Sequence, residues 1–103
     1  MGFFDTILGG SSNDKVQEML NDGAVIIDVR TAEEFNGGHV AGSQNFPLHE
    51  LGSNLRSIKE IGKPLVLCCA SGNRSGQAAD FLKSKGLVCE NGGGWMQVNG
   101  MVY

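Results

Sequence analysis

A cysteine followed at once by Ala70-Ser71-Gly72-Asn73-Arg74-Ser75 closes the apolar run Leu65-Val66-Leu67-Cys68-Cys69. These residue types in this order suit chemistry on sulfur. The run, opened by Pro64, reads as a strand buried on both faces. Beyond Ser75 a helix is expected, with Ser75 as its cap, Ala78, Ala79, Phe81 and Leu82 on its buried side, and a stop at Gly86. Cys69 would then sit where a strand gives way to a short loop and a helix N-terminus. In open parallel sheets, ligands bind beyond the carboxyl ends of the strands. The loop amides can point inward as a cradle, and the helix dipole adds positive potential. A thiol held there ionises more readily than a free one, and the thiolate is the nucleophile. This reading needs the sulfur to be negatively charged and exposed.

Positioning such a loop requires a sheet, and the rest of the chain supplies its parts. Sixteen glycines cut the 103 residues into short segments, as tight turns between strands and helices would. Val16, Met19 and Leu20 recur at helical spacing, with Gly9-Gly10-Ser11-Ser12 as an N-cap region and Gly23 as the stop. Residues 24–29 form a β-branched run that reads as a buried strand. Thr31 followed by Glu34 is a capping box, so a short helix starts there. Residues 44–47 read as a brief strand, and residues 48–61 as one or two small helices with Leu51, Leu55 and Ile58 on one face. Leu87-Val88-Cys89 reads as a further buried strand, Gly92-Gly93-Gly94 as a loop, and Trp95, Met96 and Val98 as the start of a last helix or turn. Alternating strands and helices argue for a parallel α/β sheet covered on both faces.

Composition narrows the class. A hydrophobic content of 41% supports a real core in one compact domain, taken as residues 12–103 behind an apolar tail over 1–11. A net charge of −3 without a basic run argues against nucleic acid or an anionic membrane as partner. Phe3, Phe4, Ile7 and Leu8 lack a basic n-region before them, so no signal peptide is read. Met1-Gly2-Phe3-Phe4-Asp5-Thr6 fits the loose myristoylation pattern only weakly. Three cysteines, two of them adjacent, do not make a disulfide framework and fit a reducing, cytoplasmic location. Cys68, one strand position from Cys69, faces the other side and reads as core; Cys89 reads likewise. Two scattered histidines, His39 and His49, make no metal set.

Taken together, several segments resemble the rhodanese domain family. They are Asp28-Val29-Arg30, Glu34-Phe35, Gly38-His39-Val40-Ala41-Gly42 leading to Asn45-Phe46-Pro47, the stretch from Cys69 to Ser75, and Gly93-Gly94-Trp95. The resemblance runs from about Ser12 to the C-terminus, in family order. It implies a five-stranded parallel sheet flanked by helices on both faces, with the nucleophile at Cys69. It also implies a two-step transfer. The thiolate takes the outer sulfur of a donor such as thiosulfate or a persulfide, then passes it to a thiol or cyanide, with no metal or cofactor. A thioredoxin-like or sulfur-relay protein is the expected macromolecular partner. Asp28 and Arg30 would support the loop. Arg74 would either contact the donor or brace the loop against Asp28 or Glu34.

Two other readings stand beside this one. A sulfur-relay or regulatory binding module would use the same intact loop. A small phosphatase or arsenate reductase is disfavoured, because only four residues separate Cys69 from Arg74. The related phosphatases resemble this loop but space those two residues more widely, and the shorter ring suits one sulfur atom.

Overall fold

In the computed structural model, described for residues 12–102, the chain folds into a four-stranded parallel sheet with helices on both faces. The elements in chain order are α1 (Ser12–Asn21), β1 (Val25–Asp28), α2 (Ala32–Asn36) and β2 (Gln44–Asn45). A 3-10 turn at Leu48–Glu50 leads to α3 (Leu55–Glu60), β3 (Leu65–Cys69), α4 (Asn73–Ser84), β4 (Cys89–Gly94) and α5 (Trp95–Val102). The proposed tail, the cap region around Ser11 and the myristoylation pattern lie outside the described residues.

Strand order is β2-β1-β3-β4, so β3 is central and its C-terminal end, carrying Cys69, lies between β1 and β4. All five β3 residues are buried, and they alternate between two cores. Leu65, Leu67 and Cys69 join Ile27, Ile58, Ala78 and Leu82 on the side of α3 and α4. Val66 and Cys68 join Val16, Val40 and Val98 on the side of α1 and α5. Two apolar faces explain why β3 reads as an unbroken hydrophobic run rather than an alternating one.

The structure departs from the sequence reading at three places. Among the described residues the sheet has four strands, not five; the chain's own patterning offers four strand segments, and the fifth came only with the family resemblance. The last strand begins where it was expected to end. It spans Cys89–Gly94, takes in the supposed glycine loop, and leaves Val88 68% exposed. The cause is close packing: a Cβ on Gly92 would stand 2.8 Å from both Val66 Cγ1 and Val98 Cγ2. Only glycine fits between β3 and α5 there, so the strand carries no hydrophobic signature. The register also slips between Leu67 and Cys68, which pair with Asn91 and Gly93 and leave Gly92 as the extra residue.

The third departure concerns Ser75. Helix α4 starts at Asn73, so its N-cap is Gly72, with φ +105°, and Ser75 lies inside the first turn. A side chain at Gly72 would be strained by that φ and would meet Gly93 Cα at 3.3 Å. With the cap role moved to Gly72, the Ser75 hydroxyl is available to the loop.

Candidate active site

Cys69 lies beneath the loop, with the α4 N-terminus closing over its sulfur. The Gly72 N–H donates to Sγ at 3.0 Å and the Ser75 N–H at 3.3 Å. The Ser75 hydroxyl lies a further 3.3 Å contact away, and Ser75 is fully buried. Burial pushes the Cys69 thiol up, but the Ser75 hydroxyl and the amides of Ser75, Gly72 and Ser71 outweigh it and leave the thiol below its ordinary value. Of the loop amides expected from the sequence to face the sulfur, those of Gly72 and Ser75 do so.

One expectation fails. The Cys69 side chain is not exposed; the residue is only 1% accessible. The Gly72 and Ser75 amides that reach the sulfur at 3.0 and 3.3 Å also cover it. Ala70, Ser71 and Asn73 are the exposed residues of the rim.

The neighbouring thiols differ sharply. Cys68 faces the opposite core, and burial first, with the Asp28 charge second, pushes its thiol up to about 12. Burial also raises the Cys89 thiol, whose Sγ–H donates to the Ala79 carbonyl at 3.5 Å. All three cysteines are free.

Arg74 braces the loop. Its guanidinium makes a bidentate pair with Glu34, at 2.7 and 3.0 Å, tying α4 to α2. Glu34 also closes the capping box of α2: its side chain accepts from the Thr31 N–H, while the Glu34 N–H donates to Thr31 Oγ1. The Arg74 hydrogen bond, then that of the Thr31 amide, holds the Glu34 carboxyl down to about 2 from its usual 4.5. Because the folded value is the lower one, the pair stabilises fully above the unfolded value and is lost as pH falls through about 2. In a carbon-detected NMR titration Glu34 is expected to give its midpoint near pH 2. The Arg74→Ala variant should return that midpoint towards the ordinary carboxylate range. A wild-type midpoint in the ordinary range would show that the clamp does not hold in solution.

Asp28 and Arg30 form a second, buried pair behind the loop. Arg30 Nη2 donates to Asp28 Oδ2 and to the Gly38 carbonyl, both at 2.7 Å, and the guanidinium lies 4.8 Å from the Trp95 ring centroid. Asp28 is 0% exposed and Arg30 5%. Neither faces outward. His39 stacks on Phe35 at 3.7 Å, and His49 lies beside Glu50 on the surface.

The sequence reading missed Asn91. It stands two residues after Cys89 on β4, on the strand face turned to α4, and its carboxamide bridges β4 to the loop. Asn91 Oδ1 accepts from the Gly93 N–H at 2.9 Å and from the Ser75 hydroxyl at 2.6 Å, while Nδ2 donates to the Gly72 carbonyl at 3.0 Å. The available signal was a polar residue at an inward strand position, hidden because the segment was read as a loop.

The parallel sheet, its two helical layers and a cysteine under a helix-terminal loop define a rhodanese-like fold. The family model for the rhodanese-like domain matches residues 12–100. The chain belongs to the rhodanese-like domain family. It is 43% identical over 65 residues to the uncharacterized protein YqhL of Bacillus subtilis, covering 63% of this chain and about half, 51%, of that protein's length. To the thiosulfate sulfurtransferase GlpE of Ectopseudomonas mendocina it is 33% identical over 76 residues, 74% of this chain and 69% of that protein. The crystal structure of a rhodanese-like domain protein from Staphylococcus aureus superposes with a TM-score of 0.70 at 27% identity, covering 84% of this chain and 86% of that one. Among the described residues, no helix is long and apolar enough to cross a membrane.

Proposed function

We propose that this chain is a sulfurtransferase of the thiosulfate sulfurtransferase type, carrying sulfane sulfur as a persulfide on Cys69. The observation that carries this reading is the pair of backbone donors converging on one sulfur, the Gly72 N–H at 3.0 Å and the Ser75 N–H at 3.3 Å. The likeness to a thiosulfate sulfurtransferase supports it. In the first step the Cys69 thiolate attacks the outer sulfur of the donor. The donor S–S bond breaks, and its electron pair leaves with the residue, as sulfite when the donor is thiosulfate. In the second step an acceptor thiolate attacks the outer sulfur of the persulfide, and Cys69 leaves as a thiolate. The loop amides stabilise the Cys69 thiolate that attacks in the first step and leaves in the second. The chemistry calls for no metal or organic cofactor. Residues 12–103 act as one domain in this reading, in a reducing compartment such as the cytoplasm, with a thioredoxin-like or sulfur-relay protein as acceptor. Arg74, engaged by Glu34, is not free to clamp a phosphoryl group, which weighs against a phosphatase.

Incubation with thiosulfate or with a low-molecular-weight persulfide should add one sulfur, ~32 Da, located by peptide mass on Cys69, and an added thiol should remove it. Loading without turnover by acceptors would place the chain among relay modules. No mass gain from either donor, or a gain on Cys89, would defeat the reading.

A further inference from the structure

The Ser75 hydroxyl has two neighbours and one proton. Cys69 Sγ lies 3.3 Å away and Asn91 Oδ1 2.6 Å away. The orientation of the Asn91 carboxamide is not arbitrary. The Gly93 N–H can only donate, so the atom it meets at 2.9 Å is the oxygen; the Gly72 carbonyl can only accept, so the atom it meets at 3.0 Å is the nitrogen. The hydroxyl must therefore give its proton to Oδ1 at the shorter distance, and its lone pairs face the sulfur. A thiol satisfies them by donating Sγ–H to Ser75 Oγ. A thiolate cannot, and draws the hydroxyl proton away from Asn91.

We propose that Asn91 is a positioning residue that holds the Ser75 hydroxyl proton away from Cys69 in the resting protein and yields it when the sulfur becomes charged. The site is built around this carboxamide. A Cβ on Gly76 would stand 3.3 Å from Nδ2, closer than side chains ordinarily pack, so the glycine in the first turn of α4 leaves room for it. The β4 slip that makes Gly92 the extra residue lets the Gly93 N–H reach back to Asn91 Oδ1. The chain Sγ–H, Ser75 O–H, Asn91 Oδ1 is a relay of two hydrogen bonds ending on a fixed acceptor. It gives the protonated thiol an acceptor and offers a ready hydrogen bond to the anion that forms.

The inference rests on Cys69 being the reacting group, but not on sulfur being the cargo, so its test uses none. The rate of Cys69 alkylation by iodoacetamide, followed by peptide mass, gives the pH midpoint of the thiol. Asn91→Ala should lower that midpoint by roughly 0.5–1 pH unit, the weight of one competing hydrogen bond. In a Ser75→Ala background the same change should leave the midpoint in place, since no proton is contested there. An equal shift in both backgrounds, a rise, or no shift overturns the relay. Should Asn91→Ala not fold, Asn91→Asp replaces it; its carboxylate holds the hydroxyl proton harder and should raise the midpoint more when Ser75 is present than when it is absent. Equal rises would overturn the relay. The charge that acts on Cys69 from outside the relay is Arg74, paired with Glu34, while the Asp28–Arg30 pair acts on Cys68 across the strand. Glu90 on β4 is engaged by Lys15 and Lys83. None changes between the variants, so they offset every midpoint alike. Failure here leaves sulfur loading untouched, and failure to load sulfur leaves the alkylation midpoint readable.

Discussion

The Cys69→Ser variant takes up no sulfur from thiosulfate or from a persulfide, and its intact mass after exposure equals that of untreated protein. Cys68→Ser and Cys89→Ser each gain one sulfur, provided they fold. The contrast follows from where each sulfur lies. Cys69 alone among the three has its ionisation favoured, because amides of the α4 N-terminus and the preceding loop are aimed at it. A serine hydroxyl in the same place would meet the same donors but stays protonated at neutral pH, so no nucleophile remains. Cys68 is held near 12 on the far side of β3, and Cys89 is raised by burial and committed to the Ala79 carbonyl. Cys68→Ser introduces a hydroxyl into the core of Val16, Val66 and Val98 and should cost about 1–3 kcal/mol, so its loading is to be scored on folded protein. Cys89→Ser keeps an acceptor in reach and should cost less. Sulfur uptake by Cys69→Ser equal to wild type would remove the basis of the sulfurtransferase reading. Because Cys69 is 1% exposed, bulky disulfide reagents should label it far more slowly than thiosulfate loads it.

Much of this site was legible in the sequence because its signals are local. A strand ending in cysteine, a loop containing glycine and the start of a helix lie within one stretch of chain, and hydrophobic periodicity finds all three. The capping box at Thr31 and Glu34 was legible for the same reason, and so was the alternation that sends Cys68 and Cys69 to opposite faces of β3. What escaped depends on contacts between distant segments. Gly92 sits in a strand because Val66 and Val98 leave no space for a side chain, and neither is near it in the chain. That close packing removed the hydrophobic signature of β4 and hid Asn91 with it. Of the bracing partners weighed for Arg74, the choice of Glu34 is set by the placement of α2 over α4, which no spacing rule encodes. Burial of Cys69 was missed for a related reason: amide donors were expected to bind the sulfur, but each donor that reaches it also covers it.

Asp28→Asn is expected to be among the most destabilising single changes in the chain, at about 3–5 kcal/mol by chemical denaturation. The substitution keeps size and shape, so the loss isolates charge and donor geometry. Asp28 accepts from Arg30 through both carboxylate oxygens, with Arg30 Nε at 3.0 and 3.1 Å and Nη2 at 2.7 Å, and also from the Arg30 backbone N–H at 3.0 Å. An amide at this position turns one acceptor into a donor facing a guanidinium and leaves that cation buried without a counter-charge. Breaking such a pair costs far more than exchanging the whole pair for apolar residues, because the stranded charge cannot regain water. The double variant Asp28→Leu with Arg30→Met should accordingly be more stable than Asp28→Asn, although it removes more polar contacts. A domain of this size is stable by only about 5–15 kcal/mol, so the single change brings it close to unfolding at physiological temperature. Arg30 also holds the Gly38 carbonyl and lies against Trp95, while Asn45 Nδ2 donates to the carbonyls of Asp28 and Arg30. Loss of the pair thus loosens α2, whose Glu34 braces Arg74, and the Glu34 midpoint should move up together with the fall in stability. If Asp28→Asn proved as stable as wild type, the stranded-charge argument would fail, and the contacts of Arg30 with Gly38 and Trp95 would have to hold it without a counter-charge.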